Sequence, residues 1–290
     1  MGELPIGDLL EFFAANGREL PWRDPSAGAW AVLVSEVMLQ QTPVARVLGV
    51  YLDWMRRWPS PAELATAAAG DAVRVWGRLG YPRRALRLHA AAAAITDDHG
   101  GVVPSEVDEL LALPGIGEYT ARAVAAFAFG ARVPVVDTNV RRVLNRLVRG
   151  TDDAGPATVA DRSLMESLLP VDPPTAALLS VAVMEFGAVV CTAVRPRCDD
   201  CPVLSACRWT ANGRPASTVQ RRGQAWAGTD RQVRGRIMAA IREAPGAVEL
   251  AALRRGWPDT GQWQRCLDSL LVDGLLETAG DGRLALPGHG

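Results

Sequence analysis

The sequence predicts a mainly α-helical protein with a large first domain and a small second one. Over residues 7–210, apolar side chains recur at the three- and four-residue spacing of helices. Alternating runs of β-branched residues, which predict strands, are nearly absent from this range. Prolines that suit first helical turns stand where segments restart, namely Pro43, Pro61, Pro82 and Pro104. We therefore expect many medium-length helices with short connections.

The chain divides into three parts. Residues 1–210 carry the continuous helical pattern and form the first domain. Residues 211–228 lack periodicity and mix Gly, Pro, Ser and Arg, which predicts a linker. In residues 229–290, three helical patterns are followed by two short runs joined at Asp281 and Gly282, as in a hairpin. They predict a small winged-helix-like domain, although helical pairs that end in a hairpin also occur in modules that bind only protein.

The composition is that of a globular protein. The 290 residues suffice for one large domain or two ordinary ones. Hydrophobic residues make up 49% of the chain and charged residues 22%, which is usual for globular proteins. No uncharged apolar run has the length of a transmembrane helix, and the acidic start lacks the basic flank of a signal peptide. We expect a cytoplasmic monomer with no membrane partner.

The charge pattern limits both partners and chemistry. The net charge of −1 does not indicate a uniformly basic surface for DNA, but arginines cluster at residues 83–87, 141–149 and 195–197. Each cluster is either a DNA-facing patch or a set of helix faces paired with acids. The chain contains no lysine, so all 31 of its Lys and Arg residues are arginine. Because arginine forms no Schiff base, side-chain amine catalysis is excluded.

Four of the five cysteines form a cluster within the loop 191–207: Cys191, Cys198, Cys201 and Cys207. Their spacing, C-x6-C-x2-C-x5-C, has one C-x2-C pair, whereas structural zinc sites commonly use two. Disulfides are uncommon in a cytosolic chain of this size. A four-iron cluster accepts looser spacing, often with a proline after a ligand, as at Pro202. The pattern favours a [4Fe-4S] cluster over zinc or disulfides, and Cys266 is interpreted as a core residue.

The segment LALPGIGEYTARAV predicts a helix, a glycine turn and a second helix. Gly115 and Gly117 permit a turn that exposes backbone N–H groups at the start of the second helix, where the helix dipole favours an anion. Such a turn can bind a DNA phosphate without reading the base sequence. An ordinary helix–helix turn is the alternative interpretation.

Two acids stand in apolar surroundings. Asp137 follows the run VPVV and precedes an arginine-rich helix, a position where an aspartate is commonly only an N-cap. Glu36 is the only charge in WAVLVSEVMLQQTPVA, where it is either a satisfied buried carboxylate or a functional one. Burial raises the pKa of a carboxylic acid, which is what a general acid near neutral pH needs.

Together these motifs resemble the helix-hairpin-helix DNA glycosylases of the endonuclease III and MutY superfamily. The motifs lie in family order over residues 15–210, as LPWR, SEVMLQQT, GRLGY, LPGIGEYT, VDTNVRRV and the cysteine array. Within the superfamily the chain looks like the MutY-type adenine glycosylases. The resemblance implies an enzyme of base excision repair that removes adenine mispaired with 8-oxoguanine or guanine from double-stranded DNA.

The resemblance also implies catalytic roles. Asp137 would stabilise the oxocarbenium-like sugar, and Glu36 would protonate the extruded adenine at N7. Tyr119 and Asn139 would orient these two acids. Tyr119 occupies the place of the Schiff-base lysine of the bifunctional relatives, two residues beyond Gly117. Hydrolysis without strand cleavage is therefore expected.

Further residues are implied to bind the substrate. The adenine pocket would be lined by Leu20, Trp22, Arg23 and Glu185. Trp22 suits this role because a flipped base needs an aromatic lining, but a core tryptophan is the alternative. Gln41 and Tyr81 would enter the base stack where adenine leaves, with Thr42 close to the opposing 8-oxoguanine.

The chain departs from the MutY pattern in three places. Thr138 replaces a glycine that often follows the catalytic aspartate, and Pro82 replaces a second tyrosine. The usual C-terminal domain that senses 8-oxoguanine is Nudix-like, whereas residues 229–290 look winged-helical, so the resemblance does not extend to opposite-base recognition. The alternatives are a thymine glycosylase for G:T mismatches, which Glu36 and Glu185 disfavour, and a non-catalytic iron–sulfur DNA-binding regulator.

Overall fold

The computed structural model describes residues 4–153, 155–217 and 227–290, which form two compact units. The first unit holds the described residues of the ranges 1–32, 105–108 and 117–222. The second holds those of the ranges 33–104, 109–116 and 223–290. Part of the predicted linker, residues 218–226, lies outside the described residues, and the predicted domain boundaries stay predictions.

The predicted helical character is confirmed. Before residue 130 the helices are α1 (Ile6–Asn16), α2 (Gly28–Leu39), α3 (Val44–Arg57), α4 (Pro61–Thr66), α5 (Ala69–Trp76), α6 (Arg83–Asp98), α7 (Val107–Ala112) and α8 (Glu118–Phe129). The later helices are α9 (Thr138–Val143), α10 (Val159–Leu168), α11 (Pro173–Val189), α12 (Arg208–Ala211), α13 (Asp230–Glu243), α14 (Leu250–Arg254) and α15 (Thr260–Val272). A π-helix, Leu144–Arg149, continues α9. None of the helices in the described ranges combines the length and apolarity needed to cross a bilayer.

The core of the first unit is built around α11. Its Phe186 meets Phe12 of α1 edge to face, with 5.6 Å between the ring centroids, an arrangement worth about 1 kcal/mol beyond the buried area. Helix α9 approaches α11 at Gly187, where a Cβ atom would lie 2.9 Å from the Cβ of Asn139. Only glycine allows this approach, which fixes the position of α9 and of Asp137 before it.

Three tryptophans form an aromatic cluster in the core of the second unit. The ring centroids of Trp54 and Trp58 are 4.7 Å apart, and those of Trp54 and Trp76 are 5.8 Å apart. The indole N–H of Trp76 donates to the Gly80 carbonyl at 2.9 Å. The loop before α6 is thereby attached to the buried core.

The C-terminal residues form three helices and a small antiparallel sheet. Helices α13, α14 and α15 correspond to the three predicted helical patterns. Strands β2 (Glu277–Thr278) and β3 (Arg283–Ala285) pair as the predicted hairpin. A further strand, β1 (Val248–Glu249), pairs with the other edge of β3 and gives the order β1-β3-β2. Two residues are too few for an alternating pattern, which is why the sequence did not predict β1.

A buried acid joins α10 to the π-helix. Asp161 is 1% exposed and forms a capping box with Thr158 at the start of α10. Its carboxylate also accepts hydrogen bonds from Arg141, at 3.0 Å, and from Arg149. Burial alone would raise the pKa of Asp161, but the hydrogen bonds from Arg149, Thr158 and Arg141 outweigh it and lower the pKa to about 2.

We predict that Asp161→Asn lowers the free energy of unfolding by about 3–5 kcal/mol at pH 7, because two partly buried arginines lose their counter-charge. Since the folded-state pKa lies below the unfolded value, the ionic part of this contribution is complete above about pH 5 and is lost as the pH falls towards 2. Urea denaturation at pH 7 and at pH 3 should therefore give a smaller difference from the wild type at pH 3.

Asp172→Asn is the control for this prediction. Asp172 is exposed and caps α11 by accepting from the Thr175 backbone N–H, a role that asparagine also fills. A loss of stability for Asp161→Asn as small as that of the control, or one equal at both pH values, would contradict the proposed pairing.

Candidate functional site

Asp137 is the N-cap of α9. Its Oδ1 accepts hydrogen bonds from the backbone N–H groups of Asn139 and Val140, at 2.8 and 2.7 Å. Its Oδ2 accepts from the Asn139 side-chain amide at 2.8 Å. Burial raises the pKa of Asp137, while these hydrogen bonds and the charge of Arg142 act in the opposite direction. The result is a partly buried carboxylate of fixed orientation.

Arg142 extends this arrangement to the cysteine loop. It donates to the Asn139 side-chain oxygen at 2.7 Å and to the carbonyl oxygens of Gly187 and Cys191 at 2.5 and 2.6 Å. Asn139 is therefore held on its oxygen side by Arg142 while its amide holds Asp137. The sequence placed Arg142 only within an arginine cluster, because the backbone carbonyl groups that it binds, those of Gly187 and Cys191, are distant along the chain.

A second buried acid, Glu185, is bound by two arginines. Glu185 is 0% exposed and is the only charged residue of α11. It accepts from the backbone N–H, Nε and Nη2 of Arg18, at 3.1, 2.6 and 2.8 Å, and from Nη2 of Arg23 at 2.9 Å. Although burial raises the pKa of Glu185, the hydrogen bonds from Arg18 and Arg23 lower it to about 2. The predicted pocket included Arg23 but not Arg18, because Glu185 lies 167 residues further along the chain than Arg18 and no local pattern joins them.

The other residues predicted for the adenine pocket lie next to Arg23. Leu20 and Trp22 flank Pro21 in the 3₁₀ turn Pro21–Arg23. Trp22 is 6% exposed, a burial that fits both a pocket lining and a core tryptophan. Arg23 lies over the Phe13 ring at 5.5 Å. This turn therefore places an aromatic ring and a paired arginine side by side along the chain.

The glycine turn joins α7 to α8. Gly115 has a φ of +78°, and a Cβ atom there would lie 2.5 Å from the Cβ of Arg87, so only glycine fits. Gly117 is the N-cap of α8, and Tyr119 follows in the first turn. The Tyr119 hydroxyl lies 4.0 Å from the sulfur of Met184. The predicted turn at the head of a new helix is present.

Glu36 lies in α2 and is 5% exposed, so the expected burial of this acid is found. Its neighbours Val34, Ser35, Val37 and Met38 are buried as well. Glu36 belongs to the second unit and Asp137 to the first. The convergence of the two acids on one nucleoside stays a prediction.

Gln41 and Tyr81 both have left-handed backbone conformations, with φ of +55° and +48°. Both side chains are exposed, Tyr81 by 52%. Left-handed backbone is unfavourable for residues other than glycine and persists only where neighbouring contacts hold it. The two loops are thus built to present these side chains.

The contact that holds both loops is Arg84, which is 7% exposed. Its Nη1 donates at 2.6–3.2 Å to the carbonyl oxygens of Val37, Met38 and Gln40. Its Nη2 donates to the Thr42 hydroxyl and to the Gly80 carbonyl, both at 3.1 Å. One guanidinium therefore bonds the turn after α2, which contains Gln41, to the residue before Tyr81.

The four clustered cysteines line one cavity of the first unit, together with Arg146 and Trp209. None of the five cysteines forms a disulfide. Arg146 is 2% exposed and donates to the Cys191 sulfur at 3.5 Å and to the Thr192 carbonyl at 2.8 Å. In the described ranges, no group of three or more His, Cys, Asp or Glu side chains is arranged to hold a metal ion.

Comparisons with known proteins indicate the family of this chain. Residues 34–168 match the family model described as HhH-GPD superfamily base excision DNA repair protein. The chain is 54% identical over 284 residues to an adenine DNA glycosylase of Mycolicibacterium smegmatis, which covers 98% of this chain and 96% of that protein.

Two solved structures are also similar. A thermostable thymine-DNA glycosylase has a TM-score of 0.65 and 26% identity, covering 71% of this chain and 95% of its own. A trapped endonuclease III–DNA covalent intermediate has a TM-score of 0.62 and 25% identity, covering 72% of this chain and 95% of its own.

We predict that Arg84→Ala lowers the free energy of unfolding by about 3 kcal/mol, because several buried carbonyl oxygens lose their donor. The turn after α2 and the residues around Tyr81 should also lose order, seen as faster amide hydrogen exchange at residues 40–42 and 80–82.

Arg83→Ala is the matched control, since Arg83 is half exposed and its ion pair with Asp273 is 3.2 Å long. Such a pair contributes about 0–1 kcal/mol. If exchange at the two loops were the same in both variants, Arg84 would not be what orders them.

Proposed function

The chain belongs to the adenine DNA glycosylases of the HhH-GPD superfamily of base excision DNA repair proteins, and we propose that it removes adenine mispaired with 8-oxoguanine or guanine from double-stranded DNA. The observation that carries this proposal is the 54% identity to an adenine DNA glycosylase over 98% of the chain. The proposed reaction is hydrolysis of the glycosidic bond without cutting of the strand.

Asp137 is proposed to stabilise the sugar as the base leaves. Departure of the base puts positive charge on the sugar ring, and a nearby carboxylate lowers the energy of that state. Water stabilises the partly buried Asp137 carboxylate less than an exposed one, so a cation at the sugar gains more from it. The hydrogen bonds from Asn139 and Val140 fix the direction of the charge before the substrate arrives.

Glu36 is proposed to donate a proton to N7 of the adenine. A protonated base is a better leaving group, and a buried acid in apolar surroundings suits this role near neutral pH. Tyr119, which stands where bifunctional relatives carry a lysine, is proposed to orient Glu36. Because the chain has no lysine, no side-chain amine can attack the sugar to cut the strand.

Glu185 is proposed to act on the adenine pocket through its arginines. A carboxylate has about four acceptor positions, and Glu185 already receives four hydrogen bonds from Arg18 and Arg23. It is therefore suited to orient these guanidinium groups, whose remaining N–H groups can face the acceptor nitrogens of the base. Leu20 and Trp22 would supply the apolar lining of the same pocket.

DNA contacts are assigned to three loops. Gln41 and Tyr81 are proposed to enter the base stack, because their loops present these exposed side chains from a rigid backbone. Thr42 is 6% exposed, and its place close to the opposite base is proposed from the resemblance alone. The turn of Gly115 and Gly117 is proposed to bind a phosphate at the start of α8. The monomer would act on DNA in the cytoplasm.

The four cysteines fit a [4Fe-4S] cluster, which we propose as the resident cofactor. They line one cavity with free thiols, and such a cluster takes one thiolate for each iron. When bound, the cluster would cross-link the loop 191–207 and supply a redox-active centre.

Opposite-base recognition requires residues other than those of a Nudix domain. The sheet order β1-β3-β2 and the helices α13–α15 support a winged-helix-like domain for residues 229–290. By resemblance, Thr42 is the residue proposed to contact the base opposite the adenine. Both 8-oxoguanine and guanine remain proposed as that base. A thymine glycosylase for G:T mismatches is the second candidate, since a thymine-DNA glycosylase shares the fold at a TM-score of 0.65.

Duplexes that carry A:8-oxoguanine, A:G or T:G distinguish these functions. After incubation with the protein, we expect strand breaks at adenine only, and only after heating in alkali. Breaks at thymine would support the second candidate, and breaks without alkali would indicate a lyase. Tight binding with no base loss from any duplex would indicate a DNA-binding regulator.

We predict that Glu36→Gln and Asp137→Asn each slow single-turnover base release by at least about 100-fold, because a proton donor and an anion are lost. Both variants should fold and bind the duplex as the wild type does, measured by urea denaturation and fluorescence anisotropy. Glu11→Gln, at an exposed carboxyl of α1, is the control and should be fully active. Near-normal rates in both variants would refute the two-acid mechanism.

We predict that Cys198→Ser abolishes the brown absorption and reduces the iron and sulfide content of the purified protein, because one of four thiolates is lost. Cys266→Ser changes a buried cysteine outside the cavity and should keep the wild-type iron content. Colourless wild-type protein that contains zinc, after expression with ample iron, would exclude the proposed cluster.

A further inference from the structure

The C-terminal residues pack against α5 and the loop before α6, all within the second unit. The Gly70 N–H donates to the Pro287 carbonyl at 2.7 Å, and a Cβ atom on Gly70 would lie 2.6 Å from that oxygen. Arg74 donates to the carbonyl oxygens of Arg242 and Ala244 at the end of α13, at 2.5 and 2.9 Å. Arg242 in turn donates to the Gly77 carbonyl. These contacts fix α13 beside the segment 70–77.

Three further contacts continue this packing to Tyr81. Asp273 pairs with Arg83, the first residue of α6, at 3.2 Å and with Arg234 of α13 at 2.6 Å. At the start of α13, the guanidinium of Arg231 lies over the Tyr81 ring, 5.9 Å from its centroid. The first turn of α13 is therefore held next to an exposed tyrosine.

The position of Tyr81 decides what α13 can contact. Under the proposed function, on which this step rests, Tyr81 enters the base stack of the DNA. Because both faces of a ring within the stack contact bases, the guanidinium over the Tyr81 ring gives way to a base when the ring enters. The long Arg231 side chain can then reach the backbone that flanks the same base step, where its N–H groups can donate to a phosphate.

We propose that α13 extends the DNA-binding surface, with Arg231 contacting a phosphate next to the base step that Tyr81 enters. The C-terminal segment would thereby add affinity and help position Tyr81, without reading base sequence. The partner is duplex DNA, because a charged side chain beside a base-stack wedge is complementary to phosphate.

The test is DNA binding by the full-length Arg231→Gln variant, measured by fluorescence anisotropy over a series of salt concentrations. Loss of one phosphate contact should weaken binding about three- to tenfold at 0.1 M salt and reduce the slope of log K against log salt by about 1. The matched control is Arg254→Gln, which removes an equally exposed charge at the end of α14.

The control site lies on another side of α13. Arg236 follows Arg231 by five residues, which turns it about 140° around the helix. It donates to the carbonyl oxygens of Arg255 and Gly256, which follow Arg254, at 2.8 and 3.1 Å. Arg254→Gln should therefore bind DNA as the wild type does.

A double-variant cycle with Tyr81→Ala separates a local role from a general one. If Arg231 acts beside Tyr81, the double variant should lose less affinity than the two single variants together. Thermal unfolding of Arg231→Gln and Arg254→Gln should be equal, which excludes a merely structural effect. Equal affinities and equal salt slopes for these two variants would overturn the proposal.

The wild-type alkali assay keeps the two proposals distinguishable. If the wild type releases no base but Arg231→Gln still reduces the salt slope, the enzyme proposal fails and the DNA surface remains. If the wild type releases adenine and Arg231→Gln binds DNA normally, only the role of α13 is wrong.

Discussion

Guanidinium groups bonded to backbone carbonyl oxygens, buried in Arg84 and Arg146 and partly buried in Arg142, hold together segments that carry several of the predicted functional residues. Arg84 fixes the loops of Gln41 and Tyr81, and Arg142 joins α9 to α11. Arg146 does the same for the start of the cysteine loop. A buried charge is unfavourable unless its donors are satisfied, and the five N–H groups of arginine can satisfy several carbonyl oxygens at once. Lysine, with one nitrogen, could not bridge two loops in this way.

Because these arginines bind partners that are distant along the chain, the sequence predicted the local features of the structure but not the roles of the arginines. The helices, the glycine turn and the Asp137 cap depend on local patterns, and all were predicted. The roles of Arg18 and Arg84 depend on partners far along the chain, so no local pattern carried them. The arginine cluster 141–149 is instead turned largely inward, since Arg141 and Arg149 pair with Asp161 and Arg146 is 2% exposed. Its interpretation as helix faces paired with acids is the one that the contacts favour.

The interpretations of Asp137 as an N-cap and as a catalytic carboxylate require the same hydrogen bonds. As an N-cap, it accepts the free N–H groups at the start of α9, and the positive end of the helix dipole stabilises its negative charge. The same hydrogen bonds give the carboxylate a fixed direction, which catalysis of base release requires. Capping and catalysis therefore need the same geometry. Its partial burial, which a cap alone does not require, would strengthen the proposed interaction of this charge with a cation.

Under the proposed DNA contact of α13, net charge is a poor guide to a DNA surface. Residues 227–290 contain as many Asp and Glu as Arg side chains, so their composition gives no sign of a DNA partner. Two of the acids are engaged within the unit: Asp273 is shared by Arg83 and Arg234, and Asp230 accepts from Gln262. For the proposed contact, what matters is the placement of the Arg231 cation beside Tyr81. That placement follows from the close approach at Gly70 and the carbonyl contacts of Arg74 and Arg242, none of which leaves a pattern in the sequence.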